Sequence, residues 1–107
     1  MPTNRRFPLH YITPKNPVWD RVTDFAVLVS EFTCKRVRIA DLVGIQAYVT
    51  IAGVEEIKAT CDRRPPFVVK IAGVYYIRDG HHRVTAAMLA GRKTITAEVR
   101  ELEETNV

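Results

Sequence analysis

The sequence lacks most of the features that mark metal-bound, secreted or membrane-spanning proteins. It has only two cysteines, Cys34 and Cys61, and they form no Cys-x-x-Cys pair, so their spacing signals neither a zinc site nor a redox motif. No apolar run approaches the roughly 20 residues of a membrane span, and no apolar segment of a secretory signal follows the basic N-terminal residues. We therefore expect a cytoplasmic protein without membrane contact, whose two cysteines are buried free thiols.

The composition is that of a folded domain with a modest positive charge. Of the 107 residues, 47% are hydrophobic and 26% are charged, which argues against disorder and leaves room for one core. The formal net charge of +4 allows weak attraction to nucleotides or nucleic acid, and an ordinary soluble surface explains it equally well. We predict one domain over residues 1–107, with an N-terminal arm and extra helix over 1–33, a core over 34–102 and an acidic tail over 103–107.

The first third of the chain predicts an arm followed by a helix. Residues 10–12 suggest one short strand within a proline-containing arm. Asn16 and Pro17 have the character of a helix N-cap and first helical residue, and we predict a helix over 17–30. Because large apolar side chains are seldom left in water together, we expect its stripe to be buried on the sheet or in a partner, which can be a second copy or a host protein. The stripe consists of Val18, Val22, Phe25 and Val29.

The remaining segments predict a small α/β (α+β) fold, in which a mixed sheet carries helices on one or both faces. Thr50 is a suitable N-cap for the first helix of this part, and Gly91 is a suitable residue to follow the second. Alternating or β-branched runs predict the strands. In chain order the segments are strand 34–39, a helical turn at 41–43, helix 50–60, strands 67–71 and 74–77, helix 80–91 and strand 94–99.

The junction between a strand and a helix within residues 75–91 is rich in hydrogen-bond donors. A helix start leaves its first N–H groups unpaired and carries partial positive charge, which suits a phosphate. Gly80 lets the backbone approach an anion closely, and Arg83 adds a planar fork of donors. His81 and His82 add ring donors. The junction therefore predicts an anion site with a phosphate as the expected ligand.

Three residues of this junction are candidates for catalysis. His81 and His82 can act as general acid or base near neutral pH, and Asp79 is placed where an N-cap carboxylate would hold the turn. A capped helix with two surface histidines is the alternative explanation. A metal pair is not expected, because adjacent helical residues point about 100° apart and no third ligand is evident.

Two residues outside the junction are further candidates for ligand binding. Gln46 can contribute an amide to the ligand, although a surface loop residue is an equally good explanation. Arg64, next to Arg63, can reach a nucleotide or a DNA backbone. For this arginine pair, a solvated loop is the more ordinary explanation.

The run Gly80-x-x-Arg83-x-x-Ala86, with its His82-Arg83 pair, resembles the ParB/sulfiredoxin superfamily. Members of that superfamily carry Gly-x-His-Arg or Gly-x-x-Arg-x-x-Ala at a helix start that follows a strand. The resemblance extends from about residue 35 to about residue 102 and implies the same fold; it includes the segments 36–42, 66–70 and 94–99. It leaves the activity open, since the fold serves partition proteins that bind CTP, nucleases, a free serine kinase and the repair enzyme for sulfinylated peroxiredoxin.

The chain departs from these proteins at positions that matter for their activities. The repair enzyme has its nucleophilic cysteine directly before His-Arg, where this chain has His81, so sulfinic acid reduction is not expected. The partition proteins use a later Glu-Asn-x-x-Arg segment and a helix-turn-helix domain, and this sequence contains neither. For the carboxylate base of the serine kinase, Asp41 is the nearest counterpart.

Two functions from different classes stay open. The first is an enzyme, either a ParB-like nuclease or a nucleotide phosphohydrolase or phosphotransferase. In it a histidine would act as general acid or base, Arg83 would hold the phosphate, and Mg²⁺ would accompany ATP or CTP. The second is a non-catalytic accessory or regulatory module of phage or plasmid type, which would engage DNA or a host protein through the helix over 17–30 and the phosphate site.

Overall fold

The computed structural model describes residues 3–102, and these residues fold into short helices and two sheets. The strands are β1 (Asn4–Arg6), β2 (Thr33–Arg38), β3 (Leu42–Val43), β4 (Tyr48–Thr50), β5 (Phe67–Ile71), β6 (Val74–Asp79) and β7 (Thr94–Leu102). The helices are α1 (Trp19–Val22), α2 (Ile51–Thr60) and α3 (His81–Leu89), with 3₁₀ helices at Phe25–Val29 and Ile39–Asp41. The acidic tail predicted over 103–107 lies outside the described residues.

Five strands form a mixed sheet in the order β2-β7-β5-β6-β3. β7 pairs antiparallel with β2 and parallel with β5, whereas β6 pairs antiparallel with β5 and parallel with β3. β1 and β4 pair antiparallel in a second, two-stranded sheet. Ala72 and Gly73 join β5 to β6 with positive φ at both residues, the geometry of a tight hairpin turn. This mixed arrangement confirms the predicted fold class.

One face of the five-stranded sheet packs against α2 and α3. Because successive strand residues point to opposite faces, Val68 of β5, Ile77 of β6 and Ala97 of β7 share this face, and all three are fully buried. Val54 of α2 and Val84 of α3 belong to the same core. Burial of each valine or isoleucine in this layer contributes roughly 1.5–3 kcal/mol, so the layer fixes both helices on the sheet.

The opposite face is covered by the N-terminal segment, but the single helix predicted over 17–30 is wrong. Val22 is fully buried on this face and Val18 is partly buried against it. Phe25 and Val29 point outward instead, with 76% and 81% of their surface exposed. The predicted apolar stripe is therefore only half buried.

The helix breaks because two side chains bond to the backbone at its centre. Thr23 Oγ1 donates to the Trp19 carbonyl at 2.9 Å, and Asp24 Oδ1 accepts from the Ala26 N–H at 2.9 Å. Short polar side chains of this kind compete with the helical hydrogen bonds. α1 consequently ends after four residues, and a separate 3₁₀ helix starts at Phe25.

Arg78 of β6 ties this broken segment to the sheet. Its Nη1 donates to the carbonyl oxygens of Val22 and Asp24 at 2.9 and 2.7 Å. Its guanidinium also lies 5.8 Å from the centre of the Phe67 ring. One arginine thus donates to two carbonyl oxygens at the helix break.

Smaller predictions are also corrected. A 3₁₀ helix occupies Ile39–Asp41, and β3 occupies two of the three residues of the helical turn expected at 41–43. The strand expected at 10–12 is reduced to a single bridge between Tyr11 and Gly44. Strands β1 and β4 were not predicted, because three residues carry too little pattern to be recognised.

Both cysteines are exposed, which corrects the expectation of buried thiols. Cys34 lies on β2, at one edge of the five-stranded sheet, and Cys61 follows α2 with a left-handed backbone. Within residues 3–102, no helix has the length and apolar character needed to cross a membrane.

Candidate functional site

The start of α3 depends on a glycine in a backbone conformation that other residues rarely adopt. Gly80 is the residue before the helix and has φ +102°. A Cβ at this position would lie 2.8 Å from the Pro66 Cβ and 2.9 Å from its Cα. Within residues 3–102 no side chain caps the helix, and its N-cap is Gly80, so the capping role predicted for Asp79 is wrong. Among these residues, the first N–H groups of α3 therefore have no side-chain acceptor.

His81 fastens this first turn to the loop between β3 and β4. The Ile45 N–H donates to His81 Nε2 at 2.9 Å, and the ring meets Phe7 edge-on. A ring nitrogen that accepts from an N–H carries no proton, so the imidazole is neutral with its hydrogen on Nδ1. The pKa of His81 is lowered to about 4, mainly by burial and also by His82, while Asp79 opposes the shift.

His82 fastens the same turn to the start of α2. The Thr50 N–H donates to His82 Nε2 at 3.1 Å, and Thr50 Oγ1 lies 3.2 Å from the same nitrogen. Thr50 Oγ1 also accepts from the Gly53 N–H at 3.1 Å, which confirms its predicted capping of α2. A Cβ on Gly53 would lie 2.6 Å from the His82 ring. The starts of two helices are thus held side by side, and each carries partial positive charge.

Arg83 has donor capacity that its protein partners leave unused. Its Nε is buried, lies 3.6 Å from Asp62 Oδ2 and makes no hydrogen bond within the described residues. Arg64 occupies both Asp62 oxygens, with a side-chain bond of 2.7 Å and a backbone bond of 3.0 Å. The bonds from Arg64, together with the charge of Arg83, hold the pKa of Asp62 well below its usual range. A buried donor without an acceptor is uncommon in a folded protein.

These groups line a single cleft of about 370 Å³ beside α2 and the first turn of α3. Seven of the residues singled out from the sequence lie on it: Gln46, Arg64, Asp79, Gly80, His81, His82 and Arg83. Their roles in ligand binding and catalysis stay predictions. Asp41 and Arg63, which the sequence also pointed to, do not line it. The Gln46 side chain is exposed and its Nε2 donates to the Tyr48 carbonyl at 2.7 Å.

Sequence reasoning missed several residues of the cleft wall, which are Gly53, Glu56, Thr60, Asp62 and Arg78. For the α2 residues a signal existed. Glu56 and Thr60 are four positions apart in a helix that Thr50 caps, so they share one face, and a glycine inside a helical pattern often marks a close approach. No signal pointed to Asp62, whose place depends on how the loop after α2 folds back.

The cleft also holds carboxylates that are not paired with arginine. Within residues 3–102, Glu56 and Asp79 make no ion pair. In that same range, no three His, Cys, Asp or Glu side chains converge in a way that could hold a metal ion.

Comparison with known proteins supports the fold. No family model and no curated protein matches the sequence. Among solved structures, sulfiredoxin from Arabidopsis thaliana aligns with a TM-score of 0.56 at 20% identity, over 66% of this chain and 88% of sulfiredoxin. The chain therefore has the ParB/sulfiredoxin-like fold that its sequence motif implied.

Two structures of a free serine kinase in complex with AMP align as well. A mutant form gives a TM-score of 0.55 at 17% identity and covers 84% of this chain. The other form gives 0.51 at 17% identity and covers 87%. This chain spans only 36% of the kinase chain in each case. At such identities the likeness shows the fold alone, because one fold hosts many activities.

Proposed function

We propose that the chain binds the phosphate group of a nucleotide in the cleft beside α2 and the first turn of α3. The observation that carries the proposal is the uncapped start of α3, where the Arg83 Nε is buried without an acceptor. Phosphate oxygens would accept from the N–H groups of Gly80, His81 and His82, as anions do at helix starts. Arg83 would add charge-assisted hydrogen bonds.

Two further observations support a nucleotide rather than phosphate alone. The cleft of about 370 Å³ falls within the usual range of small-molecule sites, roughly 300–1,000 Å³, and structural neighbours of this chain hold AMP. Mg²⁺ that accompanies a nucleotide is held by one or two carboxylates together with the phosphates. Glu56 and Asp79 fit that requirement, and the ion would neutralise phosphate charge beside them.

Both histidines act as positioning residues in this proposal. Each Nε2 already accepts a backbone N–H, so neither nitrogen is available to exchange a proton with a ligand. Neutral His81 keeps the loop at Ile45 against the helix start, and His82 keeps the start of α2 there. The proposed site is thus a binding site whose shape depends on two imidazoles that each accept a backbone N–H.

Isothermal titration of the protein with AMP, ATP, CTP and inorganic phosphate tests the proposal. Arg83→Ala should weaken binding by about 1.5–3 kcal/mol, the contribution of a hydrogen bond to a charged group, which is roughly 10- to 100-fold in affinity. Arg36→Ala, on the exposed strand β2, is the matched control and should bind as the wild type does. Equal affinity of the Arg83→Ala variant and the wild type, or no binding of any of these ligands, would overturn the proposal.

A nuclease or a nucleotide phosphohydrolase is the second candidate. It is favoured by the unpaired carboxylates Glu56 and Asp79 on the cleft wall, either of which could serve as a general base. Incubation with ATP, CTP or single-stranded DNA and Mg²⁺ or Mn²⁺ distinguishes the two candidates. Product formation that is lost in Asp79→Asn would establish an enzyme, whereas nucleotide binding without product would establish a binding module.

A further inference from the structure

A second groove lies beside the proposed phosphate site and carries an excess of positive charge. It has a volume of about 670 Å³ and lies between the C-terminal parts of α2 and α3 and the start of β7. Its charged residues are Lys58, Asp62, Arg63, Arg64, Arg83 and Arg92. Five cations against one carboxylate give a local excess as large as the formal +4 of the whole chain.

The positive charge of this groove is only partly neutralised by the protein. Asp62 is shared between Arg64 and Arg83, and Lys58 lies 3.7 Å from Glu55. Arg63 and Arg92 are exposed and have no ion pair within residues 3–102. Two arginines on the rim are therefore available to an anionic ligand.

Stabilisation of the helix ends does not account for these arginines. Basic residues in the last turn of a helix offset its partial negative charge, and the effect falls off beyond that turn. Lys58 occupies the last turn of α2 and serves this purpose. Arg63 lies after the end of α2, and Arg92 follows Gly91 after the end of α3, so both are outside the last turns.

We propose that this groove holds the phosphate backbone of a single nucleic-acid strand that continues from the phosphate bound at the start of α3. The two sites are continuous, since Asp62, Arg64 and Arg83 line both. The volume of about 670 Å³ falls within the range of small-molecule sites, which suits one backbone and not a duplex. The five cations that line the groove are of the kind that neutralise backbone phosphates.

The residues that line this groove indicate that it binds a nucleic-acid strand without recognising its bases. Its floor is formed by small and aliphatic side chains, and no Phe, Tyr or Trp of the described residues lines it. Base stacking in single-strand binding proteins needs such aromatic rings. Contacts to phosphates carry no sequence information, so oligonucleotides of different sequence should bind with similar affinity.

This inference rests on the proposed phosphate site, because that site fixes where the strand starts. The two can nevertheless fail separately, since Arg63 and Arg92 line only the second groove. AMP binding reports on the first cleft, and the additional affinity of an oligonucleotide over AMP reports on the groove.

The test measures fluorescence anisotropy of a labelled oligodeoxythymidine of about 12 nucleotides, within the usual site sizes, at several salt concentrations. Arg63→Ala combined with Arg92→Ala should lower affinity about 100-fold, since each of the two lost charge-assisted contacts is worth about tenfold. The slope of log K against log salt should become shallower by about 1.4, because each single-strand phosphate contact contributes roughly 0.7. AMP affinity of this double variant should equal that of the wild type.

The control is the double variant Arg5→Ala with Lys15→Ala, which removes two positive charges outside the groove and should bind the oligonucleotide almost as the wild type does. The proposal is overturned if the groove variant keeps wild-type affinity and salt slope. It is also overturned if polyglutamate of matched charge competes as well as unlabelled oligonucleotide, since the groove would then bind acidic protein segments. The wild-type protein could also fail to bind AMP while its affinity for the oligonucleotide still falls in the Arg63→Ala, Arg92→Ala variant. That result would overturn the proposed function and leave the groove as a nucleic-acid site.

Discussion

The two faces of the five-stranded sheet are covered by segments of very different kinds. On one face, α2 and α3 are regular helices whose starts are fixed by backbone N–H groups that donate to the Nε2 atoms of His81 and His82. On the other, the N-terminal segment is broken into two short helices, is held by Arg78, and leaves Phe25 and Val29 in solvent. The difference shows which segment shapes the candidate site: the site lies where His81 and His82 hold the starts of regular helices, and the N-terminal segment mainly covers the sheet.

The comparison predicts that changes at the start of α3 cost far more stability than changes on the outer surface of the N-terminal segment. Gly80→Ala should have the largest effect. Positive φ costs a residue with a Cβ about 1–2 kcal/mol, and the clash with Pro66 adds about 1–3 kcal/mol of overpacking. Urea denaturation should therefore show a loss of roughly 2–5 kcal/mol in the free energy of unfolding.

Gly73→Ala is the matched control for this change. Gly73 also has a positive φ, of +80°, but a Cβ there would meet nothing within 4 Å. Its substitution should cost only the backbone part, about 1–2 kcal/mol. Equal losses for the two variants would show that contact with Pro66 does not shape the start of α3.

Acidification should have the next largest effect on the free energy of unfolding, because it protonates His81 at the start of α3. Its folded pKa of about 4 lies below the usual 6.5, so between these values the unfolded chain binds a proton that the folded chain does not. The stability that neutral His81 contributes is complete above about pH 6.5 and is lost progressively as the pH falls toward 4, by up to about 3 kcal/mol. Denaturation curves measured across this range give the loss directly.

His81→Gln is the control for the pH effect, because an amide oxygen can accept from the Ile45 N–H without titrating. Its stability should change little between pH 6.5 and 4. Asp62 has a pKa held below its usual range, so the stability it contributes is lost only as the pH falls below the ordinary carboxyl range. A wild-type curve as flat as that of His81→Gln would contradict the role of His81.

Arg78→Met should loosen the N-terminal segment and leave the helical face in place. The variant loses the bonds from Nη1 to the carbonyls of Val22 and Asp24, and hydrogen bonds from a charged group contribute about 1.5–3 kcal/mol. Hydrogen exchange should become faster over residues 19–29, and exchange over α3 should stay slow. Faster exchange spread evenly over the chain would mean that the two faces are not independent.

Phe25→Asp should have the smallest effect. Since 76% of Phe25 is exposed, the substitution should change the free energy of unfolding by no more than about 0.5 kcal/mol, as for most surface changes. Val22→Ala, at a fully buried position of the same segment, should cost about 1–3 kcal/mol. A large loss in Phe25→Asp, or a fall in its mass by light scattering, would instead show that Phe25 is buried between two copies.

Local patterns explain how much of the helical face could be predicted from the sequence. Alternating and β-branched residues predicted β2, β5, β6 and β7. Thr50 predicted the start of α2 and Gly91 the end of α3. Each of these signals acts within a few residues of chain. The donor-rich run from Gly80 to Arg83 was recognisable for the same reason. The pairing of Arg83 with Asp62 and of His82 with Thr50 was not, since both depend on distant segments meeting in the folded chain.

The N-terminal segment was predicted less well, although its sequence contained a warning. The helical spacing of Val18, Val22, Phe25 and Val29 favoured one continuous helix, whereas Thr23 and Asp24 at its centre are residues that bond to the backbone and interrupt helices. The outcome was decided by the burial of Val27, a residue outside the predicted stripe, on the sheet. With two short helices, Val22 and Val27 are both buried against the sheet, and no continuous helix is needed to bury apolar side chains there.

The central claim, that a nucleotide phosphate binds at the start of α3, is tested most directly by titrating the isotope-labelled protein with AMP and following its backbone amide NMR signals. The amides of Gly80, His81 and His82 should shift most and saturate together, and inorganic phosphate should move the same signals. The amide of Gly73, in the β5–β6 turn, should stay unchanged. Saturable shifts that leave residues 80–82 unmoved, or no shifts with AMP and phosphate, would contradict the claim.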